Sequence, residues 1–228
     1  MSERLTGKRI LVTNINQYMG QPVSEVLKDE GAEVITSDDD LTQPGAVDKL
    51  VESTGHIDVL VANLAETNWW DALVQDIKDD EWLTYFDEIV HPLMRLVRAI
   101  TPQMVERKAG KIVAITSAAP LRGIPKATGY CAARGAQNAF VRAAGLELAR
   151  NNIQFNAIAQ NYVENVTYYP PELLANEEMM KRMLSVIPAK RLGKGEETGH
   201  LTAFLASEDS NFIVGQIIPF SGGWATST

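Results

Sequence analysis

The chain has 228 residues, 45% of them hydrophobic and 22% charged, with a formal net charge of -8. That length buries a full core, the composition excludes a disordered or fibrous chain, and the negative balance excludes nucleic acid, whose binders carry a positive footprint. The single cysteine, Cys131, forms no internal disulfide, Met1 to Arg9 lacks an apolar signal core, and no apolar run approaches the ~20 residues of a bilayer span, so a cytoplasmic protein without a membrane partner is expected.

In chain order, Arg9 to Thr13 reads as a buried first strand and Val23 to Glu30 as a helix that Gly31 stops. Glu33 to Thr36 and Ile57 to Ala62 are the next strands. A long helix is predicted from about Asp80 to Arg107, with Pro92 kinking or dividing it. Lys111 to Thr116 is a strand, Tyr130 to Arg150 a helix with small residues on one face, and Ile153 to Ala159 a strand. A loop rich in Asn, Tyr and Pro runs to Pro171, helical segments reach Ala206, and Gln216 to Phe220 is the last strand. Continuously apolar strands separated by helices imply a parallel sheet covered on both faces, a single α/β domain of doubly wound, Rossmann-like architecture.

The turn after the first strand, Thr13 to Gly20, is wrong for a dinucleotide. Such turns use three glycines so that backbone approaches the pyrophosphate, and here only Gly20 stands. Tyr18 would fill volume that a nicotinamide ribose or phosphate needs. Only about 20 residues and one short helix separate the second strand from Ile57, which leaves no room for the strand and helix that flank an adenosine. Asp38 to Asp40 read as a solvated loop.

Ser117 ends a strand, where open α/β sheets bind ligands. Tyr130 follows after twelve residues and Arg134 four beyond it, on one helix face if Tyr130 opens the helix. Ser117 can hold a substrate oxygen and Tyr130 can exchange its proton. The Arg134 guanidinium would favour the phenolate, lowering the phenol below its ordinary value of about 10. Taken singly, Ser117 reads equally as a turn cap and Tyr130 as a packed core tyrosine.

These residues, with Ala62-Asn63-Leu64-Ala65 and the terminal Ser221-Gly222-Gly223, resemble the short-chain dehydrogenase/reductase superfamily over nearly the whole chain. Within it the turn T-x4-F/Y-x-G (Thr13, Tyr18, Gly20) and the set S-x12-Y-x3-R (Ser117, Tyr130, Arg134) are similar to halohydrin dehalogenases. A dehydrogenase would carry lysine at Arg134 and glycines at Asn14 and Tyr18, and its helix asparagine is replaced by Ile89. The resemblance implies displacement of halide from vicinal halohydrins to give epoxides, and epoxide opening by halide and other small anions, without a nicotinamide cofactor. It places a halide pocket at Tyr18, Gln160, Asn161, Tyr162 and Tyr169, with backbone N–H groups near Asn161 and Tyr162 as the main donors, and it implies a homotetramer built on the two long helices.

Other residues carry simpler readings. His56, His91 and His200 show no metal spacing, so no metal is expected. Cys131 reads as a buried small residue, Met179 and Met180 as core filling, and Arg122 and Lys126 as solvated loop charges. Trp69 and Trp70 line a substrate mouth or pack at a surface. A nicotinamide-dependent reductase with an unusual turn, and a non-catalytic protein on the same fold, are the competing functions.

Overall fold

The computed structural model describes residues 3–66 and 71–226. Its strands are β1 (Arg9–Val12), β2 (Glu33–Thr36), β3 (Val59–Asn63), β4 (Gly110–Ser117), β5 (Ile153–Gln160) and β6 (Ile217–Phe220). They form one six-stranded sheet in the order β2-β1-β3-β4-β5-β6, every pairing parallel. Successive side chains of a strand face opposite sides, and both sides are buried here. Leu11, Leu60, Ile112 and Phe155 join one apolar cluster, whereas Ile10, Val12, Val61 and Ile115 join the other. That is why the strands read as unbroken apolar runs.

Helices α1 (Gly20–Asp29), α2 (Ala46–Thr54), α3 (Asp79–Tyr85), α4 (His91–Arg107), α5 (Ala119–Arg122), α6 (Thr128–Ala149), α7 (Pro171–Leu174), α8 (Glu177–Ser185) and α9 (Gly195–Ala206) complete the fold. Between β2 and β3 stands α2, with no further strand, as the short spacing required. The direction of winding reverses between β1 and β3, so the ligand crevice of an α/β sheet falls at their carboxyl ends. Among the described residues no helix is long and apolar enough to cross a membrane.

Several boundaries differ from expectation, three of them with consequences. Helix α1 begins at Gly20 and holds Pro22 in its first turn, where a missing N–H goes unnoticed. The predicted helix from Asp80 to Arg107 is divided: a π-helical segment, Phe86–Val90, joins α3 to α4, and Pro92 sits at the start of α4. Strands β4 and β5 each run further, which pairs Ser117 with Gln160 and puts the two residues side by side at the sheet's carboxyl edge. Met179 is about half exposed and α8 has no buried residue, so the expected core filling by Met179 and Met180 does not occur.

Candidate active site

Ser117 stands at the carboxyl end of β4, held by its neighbours. The Asn138 Nδ2 of α6 donates to the Ser117 carbonyl at 3.2 Å, and Thr116 Oγ1 donates to Asn138 Oδ1 at 2.7 Å. Ser117 Oγ accepts the Ala119 N–H at 3.0 Å, so the capping role and the site role coexist in one hydroxyl. Tyr130 lies two residues inside α6, which begins at Thr128, and its hydroxyl meets Ser117 and Arg134. Arg134, one turn on, puts its guanidinium carbon 5.4 Å from the Tyr130 ring. All three expected catalytic side chains converge, and all are buried.

The electrostatic balance differs from the one the spacing suggests. Burial is the strongest influence on Tyr130 and pushes its phenol up to about 12. Arg134 pulls it down, Glu66 pushes it back up, and the hydrogen bonds to Ser117 and Arg134 pull it down again. Arg134 therefore does not make Tyr130 more acidic than an ordinary phenol: desolvation of the phenolate wins, and a carboxylate opposes the guanidinium.

That carboxylate was not anticipated. Arg134 Nη2 donates to Glu66 Oε2 at 3.0 Å, with the two side chains 0% and 1% exposed. Arg134 Nη1 donates to Gln137 Oε1 at 3.0 Å, and Gln137 Nε2 donates to the Ile89 carbonyl of the π segment at 2.7 Å. Arg134 Nη2 also reaches the Tyr168 hydroxyl at 3.3 Å. Burial raises Glu66 above the usual carboxylate value while Arg134 and Tyr168 restrain the rise. Arg134 is held well above its ordinary value despite burial, because Tyr130, Glu66, Tyr168 and Tyr18 surround it. Spacing carried one clue to Gln137, which follows Arg134 by three residues; Glu66 and Tyr168 left none.

The first turn keeps the backbone shape of a glycine-rich turn without the glycines. Asn14 (φ 48°) and Tyr18 (φ 51°) are both left-handed, a conformation that disfavours side chains. A Cβ on Gly20 would lie 2.5 Å from the Ile15 carbonyl oxygen, which explains why that glycine remains. The strain at Tyr18 is offset by its contacts. Its N–H donates to Thr167 Oγ1 at 2.7 Å, its hydroxyl to the Thr116 carbonyl at 3.1 Å, and its ring meets Tyr168 edge-on at 5.2 Å. Arg134 lies 5.6 Å from the same ring. A nicotinamide dinucleotide does not fit this arrangement: Tyr18 takes the space the missing glycine would leave, and the Arg134 cation is locked to Glu66. Asp38 to Asp40 are exposed and bond locally to Asn16, Ser37, Thr42 and Gln43.

The loop after β5 holds the other expected residues. Gln160 is buried, accepts from Thr198 Oγ1 at 3.1 Å and hydrogen-bonds the Tyr18 phenol. Asn161 N–H donates to the Phe220 carbonyl at 3.1 Å and Tyr162 N–H to Asn161 Oδ1 at 3.0 Å; Tyr169's phenol also meets the Tyr162 N–H. The two amides expected to face a halide are therefore engaged. Tyr162 (φ 58°) turns the chain, and the Val163–Gly193 bridge is closed by Gly193 N–H to the Tyr162 carbonyl and Glu164 N–H to the Gly193 carbonyl. Val163 N–H, on the other side of that bridge, has no acceptor among the described residues. A parallel bridge leaves its central amide facing away from the partner, so the Val163 N–H is the unengaged donor next to Asn161 and Tyr162.

Arg122 is exposed, as expected, and also donates from Nη1 to the Trp224 carbonyl at 3.0 Å and lies 4.9 Å from that indole, whose ring meets Tyr162 edge-on at 5.6 Å. The chain's own C-terminal segment thereby backs the Tyr162 turn. Lys126 is exposed beside Asp71, as expected. Burial raises the Cys131 thiol, which suits a packed residue. Trp69 and Trp70 lie outside the described residues.

Comparison with known proteins agrees with this geometry in part. The family model described as enoyl-(acyl carrier protein) reductase matches residues 4–225. The chain is 30% identical to the 3-oxoacyl-(acyl-carrier-protein) reductase FabG of Thermotoga maritima, across 96% of this chain and 98% of that protein. It is 29% identical to nodulation protein G of Rhizobium meliloti, across 97% and 98%. A solved structure described as a dehalogenation enzyme superposes with a TM-score of 0.88 at 35% identity, covering 97% of this chain and 100% of that one. The halohydrin dehalogenase HheC bound to ethyl (2S)-oxiran-2-ylacetate superposes with a TM-score of 0.87 at 26% identity, covering 97% and 98%. By sequence match and fold, the chain belongs to the short-chain dehydrogenase/reductase family.

Proposed function

We propose that this protein is a halohydrin dehalogenase, a carbon–halide lyase that works without a nicotinamide cofactor. The observation that carries the reading is the convergence of Ser117, Tyr130 and Arg134 beside a turn whose nicotinamide space is filled by Tyr18. Likeness to the dehalogenation enzyme and to HheC supports it.

In the proposed reaction Ser117 donates a hydrogen bond to the substrate oxygen and Tyr130, as phenolate, takes the hydroxyl proton. The alkoxide attacks the neighbouring carbon from behind the carbon–halogen bond. A carbon–oxygen bond forms, the carbon–halogen bond breaks, and halide leaves with the bonding pair. No electron is transferred to or from a carrier. Ring closure is intramolecular, so positioning supplies much of the barrier reduction. Tyr18, Gln160, Asn161, Tyr162 and Tyr169 wall the halide site, and Val163 N–H is its backbone donor. The reverse direction adds halide or another small anion to an epoxide while Tyr130 returns the proton. Small residues on α6, including Ala136, Ala139, Ala143 and Ala144, suit the packing of a homotetramer.

The experiment is halide release from 1,3-dichloro-2-propanol by purified protein with no added nucleotide. Release through many turnovers supports the lyase. The names of the sequence relatives favour a second reading, a nicotinamide-dependent reductase. That reading predicts no halide release and thermal stabilisation by NADPH.

A further inference from the structure

The Glu66–Arg134 pair is out of water at both ends, yet it is joined by one short contact and leaves Glu66 Oε1 and Arg134 Nε without hydrogen-bond partners. A buried ion pair with a polar atom unsatisfied on each partner adds little stability over apolar side chains of the same volume. The pair lies instead where charge bears on the proton of Tyr130. Arg134 is 5.4 Å from the Tyr130 ring, and an uncompensated guanidinium there would draw that proton away.

We propose that Glu66 is a positioning residue whose carboxylate, by neutralising the buried Arg134 guanidinium, holds Tyr130 in its proton-donating form. This rests on the reaction proposed above and says which direction the resting site is set for. With Tyr130 a neutral phenol, the site donates a proton to an epoxide oxygen while a small anion attacks carbon; the ring carbon–oxygen bond breaks, and the phenolate left behind is reprotonated from water. Ring closure needs the phenolate and gains as pH rises. The groups facing the pair are Tyr18 from the first turn, Tyr168 from the loop after β5, and Tyr130 and Gln137 from α6, while Tyr85 of α3 packs on Tyr130 at 6.1 Å. Burial keeps the Tyr18 and Tyr168 phenols neutral, so Glu66 and Arg134 supply the opposing charges.

The test is an ultraviolet titration of tyrosinate formation in the parent and in Glu66→Gln, with Tyr130→Phe identifying the Tyr130 step, beside pH–rate profiles for azide opening of an epoxide and for halide release. In Glu66→Gln the Tyr130 step is expected to move acid by about one pH unit or more, with azide opening at neutral pH falling and halide release rising. Glu66→Asp, which keeps the charge, is expected to move it less. An unmoved Tyr130 step in Glu66→Gln, or an equal shift from Gln and Asp, overturns the proposal. If no variant releases halide or opens an epoxide, the reaction reading fails and the titration still decides the role of Glu66. If Glu66→Gln does not fold, the infrared difference between parent and Glu66→Asp at neutral pH decides it: carboxylate bands are expected, and a carboxylic-acid stretch overturns the proposal.

Discussion

The Tyr18 hydroxyl donates to the Thr116 carbonyl at 3.1 Å, tying the first turn to the strand residue that precedes Ser117. One bond thus holds the Tyr18 ring over the first turn and braces the strand end that presents the Ser117 hydroxyl. The reductase names of the sequence relatives and the dehalogenase fold relatives share this scaffold.

Tyr18→Phe is expected to lose about 2 kcal/mol of stability in urea unfolding, since the phenol bonds both the Thr116 carbonyl and Gln160 at a net value of about 1 kcal/mol each. Tyr18→Gly is expected to lose about 3 kcal/mol, because the cavity outweighs relief of the left-handed backbone. Neither variant should gain a thermal shift with NADPH, since Arg134 stays bound to Glu66.

Tyr130→Phe removes the proton acceptor for ring closure and leaves the ring packing intact. Steady-state halide release is expected to fall by about 10²- to 10⁴-fold, with halide affinity nearly unchanged by fluorescence titration. Residual activity within about tenfold of the parent would remove Tyr130 as the base.

Arg134→Lys asks one ammonium to replace a fork that serves Glu66 and Gln137 together. With one of them left unpaired in a buried site, urea unfolding should register a loss of about 3 kcal/mol. The shorter cation also sits further from Tyr130, so the alkaline limb of the pH–rate profile is expected to move up. A profile identical to the parent's contradicts a role for Arg134 in the chemistry.

Stability should fall at alkaline pH. Folding raises the Tyr130 phenol from its ordinary value of 10 to about 12, so between those values the folded chain keeps a proton that the unfolded chain has released. The contribution is fully present below pH 10 and lost as pH rises through about 12, amounting to about 3 kcal/mol. Tyr18 and Tyr168, also raised by burial, act in the same direction. Urea midpoints measured across that range should decline, and decline less steeply in Tyr130→Phe.

The parallel sheet and the convergence of Ser117, Tyr130 and Arg134 were legible because they depend on local regularities. Apolar runs alternate with amphipathic helices, a strand end marks the crevice, and a four-residue step sets two side chains on one helix face. The engagement of the Tyr162 and Asn161 amides by Asn161 Oδ1 and the Phe220 carbonyl was not legible. Which N–H groups are already engaged in a turn depends on partners from β6 and from the loop itself. The bond from Arg122 to the Trp224 carbonyl was not legible for the same reason, since the two residues lie 102 positions apart.

The sequence by itself determined the parallel α/β architecture, the loss of the glycine-rich turn and the trio Ser117, Tyr130 and Arg134 that the fold brings together, all of which follow from residue type and short spacing. Only the tertiary structure decided the trio's electrostatic state. Glu66 lies 68 residues and Tyr168 lies 34 residues from Arg134, and folding brings both against a guanidinium fully shielded from water. Whether a cation makes a nearby phenol more acidic depends on what else surrounds the two. Here desolvation and a buried carboxylate outweigh Arg134, and Tyr130 keeps its proton.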